Sequence, residues 1–126
     1  METVYASKAP EPIGPYSQAV KAGDFVFTSG QLGIGGDGKL EADVSLQTEA
    51  ALKNLSEVLR EAGSSLDMVV KTTCYLANIS DSNDFNQIYE KYFLNKPART
   101  LIEASALPKG ALVKIEAVAE IKGEKI

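Results

Sequence analysis

Only two of the thirteen cationic side chains are arginines, and their surroundings differ. Arg60 falls in the last turn of a predicted helix, where a cation suits the helix dipole. Arg99 instead follows Lys96-Pro97-Ala98 and precedes the apolar run Thr100-Leu101-Ile102. A guanidinium at such a loop-to-strand junction, stiffened by an upstream proline, can present a rigid fork to a carboxylate. A structural ion pair with an Asp or Glu explains the same placement, and the sequence leaves the two open. Tyr16 is delivered by the turn Ile13-Gly14-Pro15 and offers a hydroxyl on a large apolar body, for a ligand or for the core. In Thr28-Ser29-Gly30-Gln31 a strand ends on a glycine whose amide can approach a ligand closely. Asn86 carries a side-chain amide near the start of an aromatic helix, facing either solvent or a cleft. Cys74 lies inside a predicted strand and reads as a buried, inert thiol.

Several chemistries are excluded. The chain has no histidine, which removes Ser-His and Cys-His pairs and most zinc sites, so no metal is expected. Glycines 33, 35, 36 and 38 lack the lysine-serine pair and the strand-to-helix context of a phosphate loop. A net charge of −4 argues against a nucleic-acid partner, which demands a basic face.

The elements that must hold these residues can be read from periodicity. Val44, Ala51, Leu52, Leu55, Val58, Leu59 and Ala62 share one face of a helix from about Asp43, its cap, to Ala62, with Gly63 ending it. Phe85, Ile88, Tyr89, Tyr92 and Phe93 predict a second helix over residues 82–94, capped by Ser80 or Asp81. Strands are expected at 17–21 and 24–29 as a hairpin, then at 69–76, 100–103 and 112–121. Residues 33–40, with Asp37-Gly38, predict a turn with a short hairpin. The order strands, helix, strand, helix, strands predicts a single α+β domain over 1–126, with one mixed sheet and two helices on one face. The sheet's other face must then be covered, most simply by other copies of the chain.

At 126 residues one domain is expected. No apolar run approaches the roughly 18–20 residues of a membrane span, and the acidic N-terminus does not read as a secretory signal. With a single cysteine, the reducing cytoplasm is the expected compartment.

Taken together, Ile13-Gly14-Pro15-Tyr16-Ser17-Gln18-Ala19, Thr28-Ser29-Gly30-Gln31, the helix from Asp43 to Gly63, Val70-Lys71-Thr72-Thr73, Asn86-Gln87-Ile88-Tyr89, Pro97-Ala98-Arg99, Leu107-Pro108-Lys109 and Ile115-Glu116-Ala117 resemble the YjgF/RidA family of reactive-intermediate deaminases. The resemblance runs through almost the whole chain. It implies a chorismate-mutase-like α+β fold, a homotrimer with ligand sites in the clefts between subunits, and hydrolysis of 2-imino and 2-enamino acids to 2-oxo acids and ammonia without a cofactor. It further implies that Arg99 grips the substrate carboxylate and that Tyr16, Ser29, Gly30 and Asn86 line the same cleft.

Two positions depart from the family pattern. Leu101 stands where cysteine is common, a position that contributes partly through its backbone. Lys114-Ile115-Glu116-Ala117 stands where the pattern reads acid-Ile-Glu-Ala, and that first acid is credited with positioning the attacking water. An ammonium cannot accept the water's proton. Glu116, about 7 Å away along the same strand face, is the nearest replacement. Two functions stay open on this ground: an imine deaminase, and a non-catalytic protein that binds a small carboxylate. A ribonuclease is disfavoured by the missing histidine and the acidic charge.

Overall fold

The computed structural model describes residues 1–122. Seven strands form one mixed sheet: β1 (Glu2–Val4), β2 (Ala19–Ala22), β3 (Phe25–Thr28), β4 (Gln31–Leu32), β5 (Val69–Leu76), β6 (Ala98–Glu103) and β7 (Val113–Glu120). The order across the sheet is β1-β2-β3-β7-β5-β6, with β4 continuing beside β7 where β3 leaves it. All pairs are antiparallel except β5–β6, which is parallel because a helix connects them. The expected α+β layering is what the chain adopts.

Helix α1 (Val44–Glu61) begins where the Asp43 carboxylate accepts from the Leu46 amide at 2.9 Å, and Gly63 leaves its end with φ +84°. The predicted apolar face is buried in full. It packs on β7, whose Val113, Ile115, Ala117 and Ala119 are buried, and Val69, Thr72, Cys74 and Leu76 of β5 are buried in the same layer, so both central strands alternate between a helix-side and an outer face. Helix α2 (Ser82–Tyr92) buries Phe85 and Tyr89 on the same layer.

Three expectations need correction. Neither Ser80 nor Asp81 caps α2 through its side chain: a 3₁₀ turn over Ile79–Asp81 runs into the helix, and the Ser82 hydroxyl donates back to the Ile79 carbonyl. The helix stops at Tyr92, because Phe93 turns out of helical geometry and is buried while Leu94 is 80% exposed. Ile88 and Tyr92 are only partly buried. The expected hairpin forms and turns at Gly23, φ +59°, with its strands trimmed to β2 and β3.

On the outer face nothing in the described chain covers Phe25, Phe27 and Ile102, each about two-fifths exposed. Val20 lies beside Phe27, and Val118 joins them from β7. No helix of the described residues is long and apolar enough to cross a membrane.

Candidate functional site

The sheet opens where β3 gives way to β4. Phe27 pairs with Val118 but Gln31 pairs with Ile115, so four steps on one strand span three on the other. The extra residue makes a β-bulge at Ser29-Gly30. The ladder partner lost at Ala117 is replaced by a side chain: its amide donates to the Thr28 hydroxyl at 3.0 Å. Ser29 is held from both ends, its amide donating to the Gln18 carbonyl at 2.8 Å and its hydroxyl to the Ser17 carbonyl at 2.6 Å. Gln18 in turn is buried and ties down the N-terminal segment through Ala6 and Pro10.

Beside this bulge lies a cavity of about 460 Å³, and five of the expected site residues line it: Tyr16, Ser29, Gly30, Lys114 and Glu116. Tyr16 is half exposed, and its hydroxyl accepts from the Ile13 amide at 3.3 Å, so it belongs to the surface turn and not to the core. Lys114 lies along the cavity wall. Its stem lies against Gly30 so closely that a Cβ there would stand 2.2 Å from Cε. Its Nζ sits 6.0 Å from the centre of the Tyr75 ring. Glu116 accepts from the Tyr75 hydroxyl at 2.8 Å, which raises the Tyr75 pKa above its ordinary value.

The remaining residues lie elsewhere. Arg99 sits opposite Thr72 on β6 and therefore faces the helices. Its Nη1 donates to the Asn86 side-chain oxygen at 2.7 Å, and its guanidinium lies 4.9 Å from the Tyr89 ring centre. No carboxylate pairs with it among the described residues, which settles the structural ion pair against. The guanidinium is exposed beside an open groove walled by Tyr89, Phe93 and Pro97. Asn86 and Arg99 are thus brought together, but on the face of the sheet opposite Lys114 and Glu116. The side chain of Leu101 packs against the core, in neither cavity. Its backbone is better placed. The Ala104 amide bonds inward to Leu76, so strand alternation turns the amides of Arg99, Leu101 and Glu103 toward the free edge of β6.

Sequence reasoning missed Tyr75, which bridges Lys114 and Glu116. Only the cross-strand register reveals it, since Tyr75 pairs with Lys114 and Thr73 with Glu116. It also missed Lys109, which reaches the cavity from a left-handed residue at φ +60°. Cys74 is buried as expected, and burial pushes its pKa up to about 11. The described residues contain no group of three or more side chains suited to hold a metal ion.

The profile of the family described as Endoribonuclease L-PSP matches residues 6–121. The human 2-iminobutanoate/2-iminopropanoate deaminase is 46% identical over 119 residues, spanning 92% of this chain and 87% of its own. A putative regulator, AldR, of Lactococcus lactis is 41% identical over 125 residues, 97% of this chain and 99% of that one. The crystal structure of the YjgF gene product of E. coli matches with a TM-score of 0.92 at 34% identity, covering 97% of this chain and all of the other.

Proposed function

This chain belongs to the Endoribonuclease L-PSP (YjgF/RidA) family, and on that premise we propose that it hydrolyses small 2-imino and 2-enamino acids, such as 2-iminobutyrate and 2-aminoacrylate, to 2-oxo acids and ammonia. The observation that carries this reading is Arg99: an exposed guanidinium, oriented by Asn86 and stacked on Tyr89, with no acid among the described residues to neutralise it. Such a fork is pre-organised for a planar carboxylate. In the proposed mechanism Arg99 fixes the carboxylate and the cavity walls present the imine carbon to a held water. Imines hydrolyse in water unaided, so positioning supplies useful acceleration.

Arg99 and the Tyr16–Lys114 cavity lie on opposite faces of one sheet, so a shared site needs two chains. We therefore propose a homotrimer in which the free edge of β6 and Arg99 of one subunit close the cavity of the next. The uncovered Phe25, Phe27 and Ile102 support this, since assembly would bury them. The proposed compartment is the cytoplasm, consistent with one unpaired, buried cysteine.

A coupled assay tests the reading. With threonine dehydratase supplying 2-iminobutyrate, the protein should speed 2-oxobutyrate formation, and Arg99→Ala should lose roughly thirtyfold or more in kcat/KM, the worth of about 2 kcal/mol of charged hydrogen bonding. No acceleration, or a variant equal to the wild type, would sink it. Lys114 favours a second reading, a regulatory protein that binds a 2-oxo acid without turnover; calorimetry beside the same assay separates the two. The family's description as an endoribonuclease is not favoured here, because the chain has no histidine and carries a net charge of −4.

A further inference from the structure

Lys114 is a cation that lines the cavity with no ion pair to any described residue. Its stem is clamped on Gly30, which fixes where the ammonium stands. No carboxylate of the described residues lies within ion-pair distance of it. Two carboxylates share the cavity and keep their charge, but each accepts from a phenol and not from the ammonium: Glu116 from the Tyr75 hydroxyl and Glu11 from the Tyr5 hydroxyl. Lys109 adds a second cation to the lining. An ammonium held in place with no ion-pair partner among the described residues is the point of this cavity that an anionic group on a ligand would meet.

We infer that the Lys114 end of the cavity receives a second carboxylate, so that the preferred ligands are dicarboxylic 2-imino acids and their 2-oxo products. The chemistry of this inference rests on the imine-hydrolase reading, whereas the binding it asserts does not. Arg99 of a neighbouring subunit takes the carboxylate beside the imine carbon, and Lys114 takes the one at the far end of the side chain. The charge reversal at position 114 then has a compensation. The substrate brings the carboxylate that the protein lacks at this position. Held by Lys114, it accepts a proton from the water as the water oxygen bonds to the carbon of the protonated imine, giving the neutral carbinolamine. The same proton passes to nitrogen as the carbon–nitrogen bond breaks. Ammonia leaves with the bonding electron pair, the hydroxyl proton passes to it through solvent as the oxo group forms, giving ammonium, and the carboxylate is unchanged.

Calorimetry with the intact protein tests the binding without requiring turnover. 2-Oxoglutarate should bind at least about tenfold more tightly than 2-oxobutyrate, the effect of one charge-assisted pair in a half-enclosed site. Lys114→Met keeps an apolar stem over Gly30 and removes the charge, so the two affinities should converge. Equal affinities in the wild type overturn the inference, whether or not any imine is hydrolysed, and need no variant to fold. Turnover is then compared for 2-iminoglutarate and 2-iminobutyrate, each generated by an amino-acid oxidase. The wild type should favour the dicarboxylic imine by a similar factor, and Lys114→Glu should reverse the order. Tighter 2-oxoglutarate binding with no hydrolysis of either imine would retire the enzyme reading and leave the subsite standing. Hydrolysis of both imines at equal efficiency would do the opposite.

Discussion

Arg99 on β6 and Lys114 on β7 project from opposite faces of one sheet, separated by β5, whose Thr72 pairs with Arg99 and whose Tyr75 pairs with Lys114. Residues three apart on a strand point to opposite sides, so no rotamer change can bring these two cations into one site within a chain. A functional unit that uses both must be made between chains.

That requirement predicts complementation. Arg99→Ala disables one wall of the proposed interface and Tyr16→Ala the other, and each protein alone should lose most activity. Unfolded together and refolded, the two should form mixed trimers in which some interfaces take Arg99 from one variant and Tyr16 from the other. Random assembly leaves about one quarter of sites intact, so the mixture should recover about that share of wild-type activity. Sedimentation should report a trimer for each protein. A monomer, or a mixture no better than its components, removes the shared site.

Two neighbouring glycines should behave differently for a reason visible in what surrounds them. A Cβ on Gly33 would lie 2.4 Å from Cα of Gln47, in the backbone of α1, which cannot step aside. Gly33→Ala should therefore cost roughly 3 kcal/mol or more in urea denaturation. The three nearest atoms that a Cβ on Gly30 would meet all belong to the flexible stem of Lys114. Gly30→Ala should stay within about 1 kcal/mol of the wild type in stability, yet weaken 2-oxo acid binding by moving the ammonium. If both variants unfold alike, the clamp on Lys114 is not what Gly30 provides.

The long apolar period of α1 and the β-branched runs of β5 and β7 declare themselves in the sequence because each element is long enough to repeat its pattern. β1 and β4 do not, being three and two residues long and held by their partners. The candidate residues could be named without the fold: Arg99, Asn86, Tyr16, Ser29 and Gly30 by type and context, Lys114 and Glu116 through the family resemblance. Their division between two faces was not. It depends on strand parity and on the bulge at Ser29-Gly30, both set by cross-strand register. The Tyr75–Glu116 bond is invisible for the same reason, as its partners are forty-one positions apart.

Cys74 gives a prediction in alkali. Burial is the main cause that lifts its thiol from 9.0 to about 11, with the Thr72 hydroxyl and the charges of Arg99 and Lys71 pulling the other way. A raised folded-state pKa means the native protein holds this proton more tightly than the unfolded chain. The stability it contributes is full below pH 9 and is lost as pH climbs toward about 11. Tyr89, raised by its own burial, adds a loss at high pH that any Cys74 variant keeps. Urea midpoints of the wild type and of Cys74→Ala, measured from pH 8 to 11, isolate the thiol. The variant should start about 1 kcal/mol lower, from the small cavity left, and the gap should narrow as pH rises. Parallel curves would show that the thiol ionises as freely in the fold as outside it.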